Sequence, residues 1–266
     1  NVVRVASQTI GPDVKSVTEL ADTILLNKGN TTEFVSGAVS IATYLNQNAD
    51  RISTVNKATF EKVIDSLLDF TAELVNITDL STVNETTIQQ QVTIVEVLTK
   101  TPSILSTSAK NKALSIINTV INVARKQENS TAHIGLTTFT QVAKVISNIV
   151  AGGFRDPVVA SNTFSTANEL AKTILEGKLV TESATTIVTD NFEMVVRRDK
   201  AQSLSNSRVE TSNNETKTLN VVQIPNNFAY DITDDENDAV SYTMLVFNSN
   251  PFQYSNPDAQ QGIATP

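Results

Sequence analysis

Between residues 14 and 176 the sequence repeatedly sets apolar side chains three and four positions apart, then interrupts them with Gly, Pro or a run of Asn, Ser and Thr. That spacing lays one apolar stripe along one face of a helix. Such a helix cannot bury its stripe alone, so the pattern demands helix-on-helix packing. Six or seven helices are expected. The first follows Pro12, carries Val14, Val17, Leu20, Ile24 and Leu25, and stops at Gly29. The next three span about 31–48, about 56–75, and from an Asn84 cap to just before Pro102. The last three span about 108–126, about 138–150 before Gly152-Gly153, and about 162–176 before Gly177. The spacing between segments is uneven and shows no residue-level repeat, so one helical subdomain is expected rather than a solenoid.

After Gly177 the period shortens to two. Ile187, Phe192, Met194 and Val196 alternate with polar residues over 185–197. A short strand is expected at 209–211, another at 219–224 stopped by Pro225, and the clearest at 240–247. Ser212-Asn213-Asn214-Glu215 is the turn between the first two of these. The fold class expected is therefore α+β, with a helical subdomain over 1–180 and a partial antiparallel β-sandwich over 181–266. Three or four strands want more sheet than this, so the β half reads as incomplete. Asn1 in place of a methionine likewise reads as a fragment, or a chain whose front has been removed.

Several function classes are excluded by what the 266 residues lack. There is no cysteine, which removes disulfides, thiolate metal sites and thiol nucleophiles from this stretch. Twenty basic residues stand against 28 acidic ones, a net charge of −8, and no basic cluster forms beyond Arg197-Arg198 and Lys200. Nucleic acid is not an expected partner, because a duplex is bound by clustered Lys and Arg that displace its counterions. No apolar run reaches the roughly 18 residues that span a bilayer, so any membrane association would come through segments outside this chain. The polar stripes lack the Lys- and Arg-rich face of membrane-surface helices.

Candidate chemistry is thin. His133 is the one histidine, in Thr131-Ala132-His133-Ile134 between two helices, and no nucleophile is marked out for it by a G-x-S-x-G elbow. Asp231, Asp234, Asp235, Glu236 and Asp238 form the densest charge cluster, but their spacing is not that of an EF-hand loop. They read as a solvated loop between strands. Gly152-Gly153-Phe154 lacks the phosphate-loop spacing and reads as a helix stop. No catalytic residue, metal site or cofactor is expected. Five Asn-x-Ser/Thr acceptors, at Asn30, Asn76, Asn84, Asn129 and Asn214, are N-glycosylation candidates. Surface polarity supplied by Thr, Ser and Asn rather than Lys and Glu is a secreted or cell-surface style.

Two strings carry a family resemblance. Thr189-Asp190-Asn191-Phe192-Glu193-Met194-Val195-Val196-Arg197-Arg198 resembles the first strand after the helices in the GAIN domain, in its polycystin and egg-jelly-receptor branch. Tyr242-Thr243-Met244-Leu245-Val246-Phe247-Asn248-Ser249-Asn250-Pro251-Phe252 resembles a later strand of that branch, leading into an Asn-Pro-Phe turn. The helices before them match that domain in number only. The resemblance implies an extracellular juxtamembrane module, helical then β, that holds a terminal strand by burial and hydrogen bonding. Phe192, Met194, Val196, Tyr242, Leu245 and Phe247 would carry that role. Family members end in a cleavage motif, a His-Leu or similar pair before Thr or Ser, framed by disulfides and tryptophans. This chain has neither Cys nor Trp and no such motif, so self-cleavage falls on none of its residues. The rival expectation is a self-assembling surface or appendage glycoprotein, whose open sheet is completed by a neighbouring chain.

Overall fold

The computed structural model describes residues 13–26, 31–52, 54–77, 85–126, 135–212, 219–226, 233, 235 and 237–248. Its class is α+β. Seven helices precede the strands among these residues: α1 (Val14–Leu26), α2 (Thr31–Gln47), α3 (Thr54–Ile77), α4 (Glu85–Thr99), α5 (Thr107–Lys126), α6 (Leu136–Ala151) and α7 (Pro157–Glu176). The chain divides into two compact units, with Thr166 ending the first and Ala167 opening the second.

In the first unit, helices two apart in sequence lie side by side. α1, α3 and α5 form one row, and α2, α4 and α6 another. Each buries its apolar stripe, with Phe34, Phe60, Leu67, Leu68, Ile94, Val95, Ile117 and Ile146 almost fully enclosed. Phe34 and Phe70 meet edge to face at 4.4 Å between ring centroids, a favoured aromatic geometry. Gly37 lets α1 and α2 approach closely, because a Cβ there would lie 2.5 Å from Ile24 Cγ2. The α1 stripe is narrower than the spacing predicts. Val17, Ala21 and Ile24 are buried, while Leu20 faces water.

Threonine enters the helical core without breaking it. The hydroxyls of Thr71, Thr99 and Thr163 donate to the carbonyls of Leu67, Val95 and Val159 at 2.7, 2.8 and 2.7 Å. A hydroxyl bonded back to the preceding turn needs no other partner. Amides tie the second row together. Asn46 Nδ2 donates to Val97 O at 3.1 Å, and Asn148 Nδ2 to Glu96 O at 3.1 Å. Glu85, in the first turn of α4, accepts the Gly135 N–H at 2.8 Å and so fixes the entry to α6.

Helix boundaries depart from expectation by two residues or more at three starts. α3 begins at Thr54 rather than about 56. α7 begins at Pro157 rather than near 162, because Asp156 caps it: its Oδ1 accepts the Val158 N–H at 2.8 Å, with proline in the first turn. α6 begins at Leu136 rather than 138. It ends as its glycines require. The Gly153 N–H donates to Val150 O at 2.8 Å and Gly153 takes φ +63°.

The second unit holds β1 (Thr185–Val188), β2 (Phe192–Lys200), a short helix α8 (Ala201–Leu204), β3 (Arg208–Ser212), β4 (Leu219–Gln223) and β5 (Ala239–Phe247). β1, β2 and β5 form an antiparallel sheet with β2 in the middle, and β3 pairs with β4 in a second, two-stranded sheet. The alternation over 185–197 is not one strand but a hairpin. Thr189 turns the chain: its N–H and hydroxyl both donate to Phe192 O, at 3.0 and 2.6 Å, and its Oγ1 accepts the Phe192 N–H at 3.2 Å.

Candidate functional site

The strand pair β2–β5 is the place where the residues singled out from the sequence come together. The two strands pair without interruption from Phe192↔Phe247 to Lys200↔Ala239. Cross-strand partners share a face, so Phe192, Met194 and Val196 lie beside Phe247, Leu245 and Thr243. Five of the six expected packing residues therefore occupy one face. Phe192, Met194 and Val196 are fully buried, and the Phe192 and Phe247 rings sit 5.9 Å apart. Ile187 of β1, opposite Met194, extends this face and is also buried.

Tyr242, the sixth, pairs with Arg197 and lies on the opposite face. That face is covered rather than solvated, which is why β2 is buried on both sides. Val195 packs with Val209 of β3 and with Ile224, and Tyr242 and Met244 lie against them. Ala201 and Leu204 of α8 pack on Val240. On the same face runs a charged line. Arg197 donates to Asp199 Oδ2 at 2.5 Å, and Asp199 Oδ1 accepts the Lys200 N–H at 2.8 Å. Burial works against the Arg197 charge, but the hydrogen bond and charge of Asp199, with Tyr242, outweigh it and hold the guanidinium above its ordinary pKa. Burial, with the nearby Asp199 charge, raises the Tyr242 phenol against the pull of Arg197.

The entry to the sheet is held by a lysine that nothing in the sequence marks. The Lys178 side chain is 4 % exposed. Its ammonium donates to Ser183 O at 2.7 Å, Thr185 Oγ1 at 2.9 Å and Glu182 Oε1 at 3.1 Å. Arg198 Nη1 donates to Lys178 O, and the Thr181 N–H to Arg198 O, with Thr181 at φ +72°. The bend between α7 and β1 is thus closed by charge-assisted bonds. The other end of the hairpin is held too, since Asn248 donates from Nδ2 to Asp190 O at 2.7 Å and from its N–H to Asn191 O at 3.0 Å.

The remaining candidates are distributed as follows. Asn30, Asn84, Asn129, Asn214 and His133 lie outside the described residues, as do Asp231, Asp234 and Glu236. Asn76 falls in the last turn of α3, but its side chain is outside the description. Asp235 and Asp238 are engaged in a local turn. Asp235 Oδ1 accepts the Asn237 N–H at 2.8 Å, Asp235 O accepts the Asp238 N–H at 3.0 Å, and Thr233 Oγ1 donates to Asp238. Among the described residues no group of three His, Cys, Asp or Glu is placed to hold a metal ion, and no helix is long and apolar enough to cross a membrane.

No protein-family model matches the chain, and no curated protein matches it.

Proposed function

We propose that the chain is a non-enzymatic extracellular module of the GAIN kind, acting as a structural or force-bearing spacer at a cell surface and contacting other proteins. The observation that supports this reading best is the uninterrupted β2–β5 ladder, whose buried face is made by the residues of the two GAIN-like strings. The order of elements, seven described helices and then antiparallel strands, agrees with it. The β half is suited to holding strands, with side chains committed to burial and to bonds that close turns. Native protein should lose mass on N-glycosidase treatment, with peptide mapping placing glycans at Asn129 and Asn214 first. A native mass equal to the bare sequence would remove the extracellular reading.

One observation favours the second reading, a self-assembling surface glycoprotein. β5 is an outer strand of its sheet, and no further described strand pairs with its free edge. Such an edge accepts an added strand. Sedimentation of the purified chain over a range of concentrations decides between them: growth into larger species supports assembly, and a constant monomer rejects it.

A further inference from the structure

A polar cavity of about 370 Å³ opens in the helical unit where α5 and α7 begin and α6 ends. Lys57, Lys110 and Arg155 line it, together with the hydroxyl residues Ser103, Ser106 and Thr107. Two carboxylates also line it, and each has a partner other than Lys110 and Arg155. Glu61 pairs with Lys57 at 3.8 Å, and Asp156 caps α7 through the Val158 N–H. Lys110 and Arg155 line the same cavity, near enough for their charges to repel, and among the described residues neither has a carboxylate partner. Lys110 is half-buried, and its one hydrogen bond, to Gly153 O, is long at 3.4 Å. Burial lowers its pKa and the nearby Arg155 charge lowers it further. The lining thus carries three cations against two carboxylates, and neither carboxylate pairs with Lys110 or Arg155.

We infer that this cavity binds a tetrahedral oxyanion, a sulfate or phosphate monoester, between Lys110 and Arg155. An anion there would relieve the repulsion between the two cations and accept charge-assisted bonds from both. The planar guanidinium of Arg155 presents two parallel donors that match two oxygens of such a group. Ser103 and Thr107 add hydroxyl donors, and Thr107 opens α5, whose positive end faces the same space. The volume lies at the small end of the range of about 300–1,000 Å³ found for small-molecule pockets, so the group bonded to the oxyanion must be small. The inference stands apart from the extracellular reading, and an unglycosylated native mass would leave it untouched.

The test is a titration of the full chain with sodium sulfate and, separately, sodium phosphate, with ionic strength held constant by sodium chloride. The amide signals of Ala109, Lys110 and Gly153 are followed by NMR. Saturable shifts at these amides are expected, with affinity at least about tenfold weaker in the K110Q/R155Q variant, since each charged hydrogen bond removed is worth that much or more. Arg155 is exposed, so R155Q alone keeps the fold should the double variant lose it, and it must weaken binding too. Tighter binding of phosphate assigns the site to phosphate esters, and tighter binding of sulfate to sulfated carbohydrate. No saturable shift beyond the chloride control, undiminished binding in both variants, or equal binding of acetate would each overturn the assignment.

Discussion

Removing the Lys178 ammonium tests whether the bend between α7 and β1 is held as described. In Lys178→Met the stem keeps its burial while the charge goes. A hydrogen bond from a charged donor contributes about 1.5–3 kcal/mol, so the bonds to Ser183 O and Thr185 Oγ1 are together worth about 3–6 kcal/mol. The pair with Glu182 adds little, because that carboxylate is 48 % exposed and water screens it. Against these gains, taking the ammonium out of water costs several kcal/mol, which methionine does not incur. The balance is a destabilisation of about 2 kcal/mol for K178M, rising to about 4 kcal/mol in Lys178→Ala, where buried methylenes are lost as well. Because the chain forms two units, a single unfolding midpoint is a poor readout. Amide hydrogen exchange resolves them. Peptides covering β1 and β2 should exchange roughly thirtyfold faster in K178M, the equivalent of 2 kcal/mol, with α2 to α6 unchanged. Unchanged or slower exchange in the β peptides would mean that desolvation outweighs the three bonds, and the argument for a closed bend would fail.

Asp199→Asn leaves the half-buried Arg197 guanidinium without its charge partner and should destabilise the sheet by about 2 kcal/mol, read by the same exchange measurement. Replacing both residues together with apolar ones of similar volume should cost less than the single change. Glu182 accepts bonds from the Leu179 N–H and from Lys178, which hold its carboxyl below the ordinary value. Its contribution to stability is therefore present above the usual glutamate range and lost as pH falls through the lowered folded value, so β1 peptides should loosen on acidification in the native chain and respond less to pH in Glu182→Gln. Gly153→Ala should lower stability by about 1 kcal/mol, read as faster amide exchange in α6 peptides, because φ is +63° while a Cβ would meet nothing within 4 Å; Gly153→Asn should cost less.

The helical half was legible because each helix carries its own stripe and its own stop. Phe34, Ala38, Ile41, Ala42 and Leu45 are spaced as a helix demands, and all five are buried. The two rows were not legible, since pairing between helices leaves no short-range signal. The earlier start of α7 is marked by Asp156-Pro157, whose capping side chain and fixed φ set the first turn ahead of the 162 that the stripe suggests. In the β half, residue type located β2, β3, β4 and β5. The split of 185–197 into a hairpin depended on Thr189, Asp190 and Asn191, which have the chemistry of a turn. Arg197-Arg198-Asp199 looked like a diluted basic run. On a strand, residues two apart share a face, and that spacing was the available hint of an ion pair. Lys178 gave no hint. A lysine after a helix-ending glycine has the pattern of a surface residue, and only the bend brings Glu182, Ser183 and Thr185 around it.

The placement of β2 between β1 and β5 determines how the sheet answers to tension. Both outer strands run opposite to β2 and hence in the same direction as each other. A pull drawn through the chain enters β1 at Thr185 and leaves β5 at Phe247, dragging the two flanks past the central strand in opposite senses. All the rungs are then loaded at once in shear, whereas a pull across Phe192 and Phe247 would peel β2 from β5 one rung at a time. Lys178 grips the chain at the point where the load enters. Single-molecule extension between Leu179 and Asn248 should therefore rupture at a distinctly higher force than extension between Phe192 and Phe247, and equal forces would show that the sheet has no preferred axis of strength.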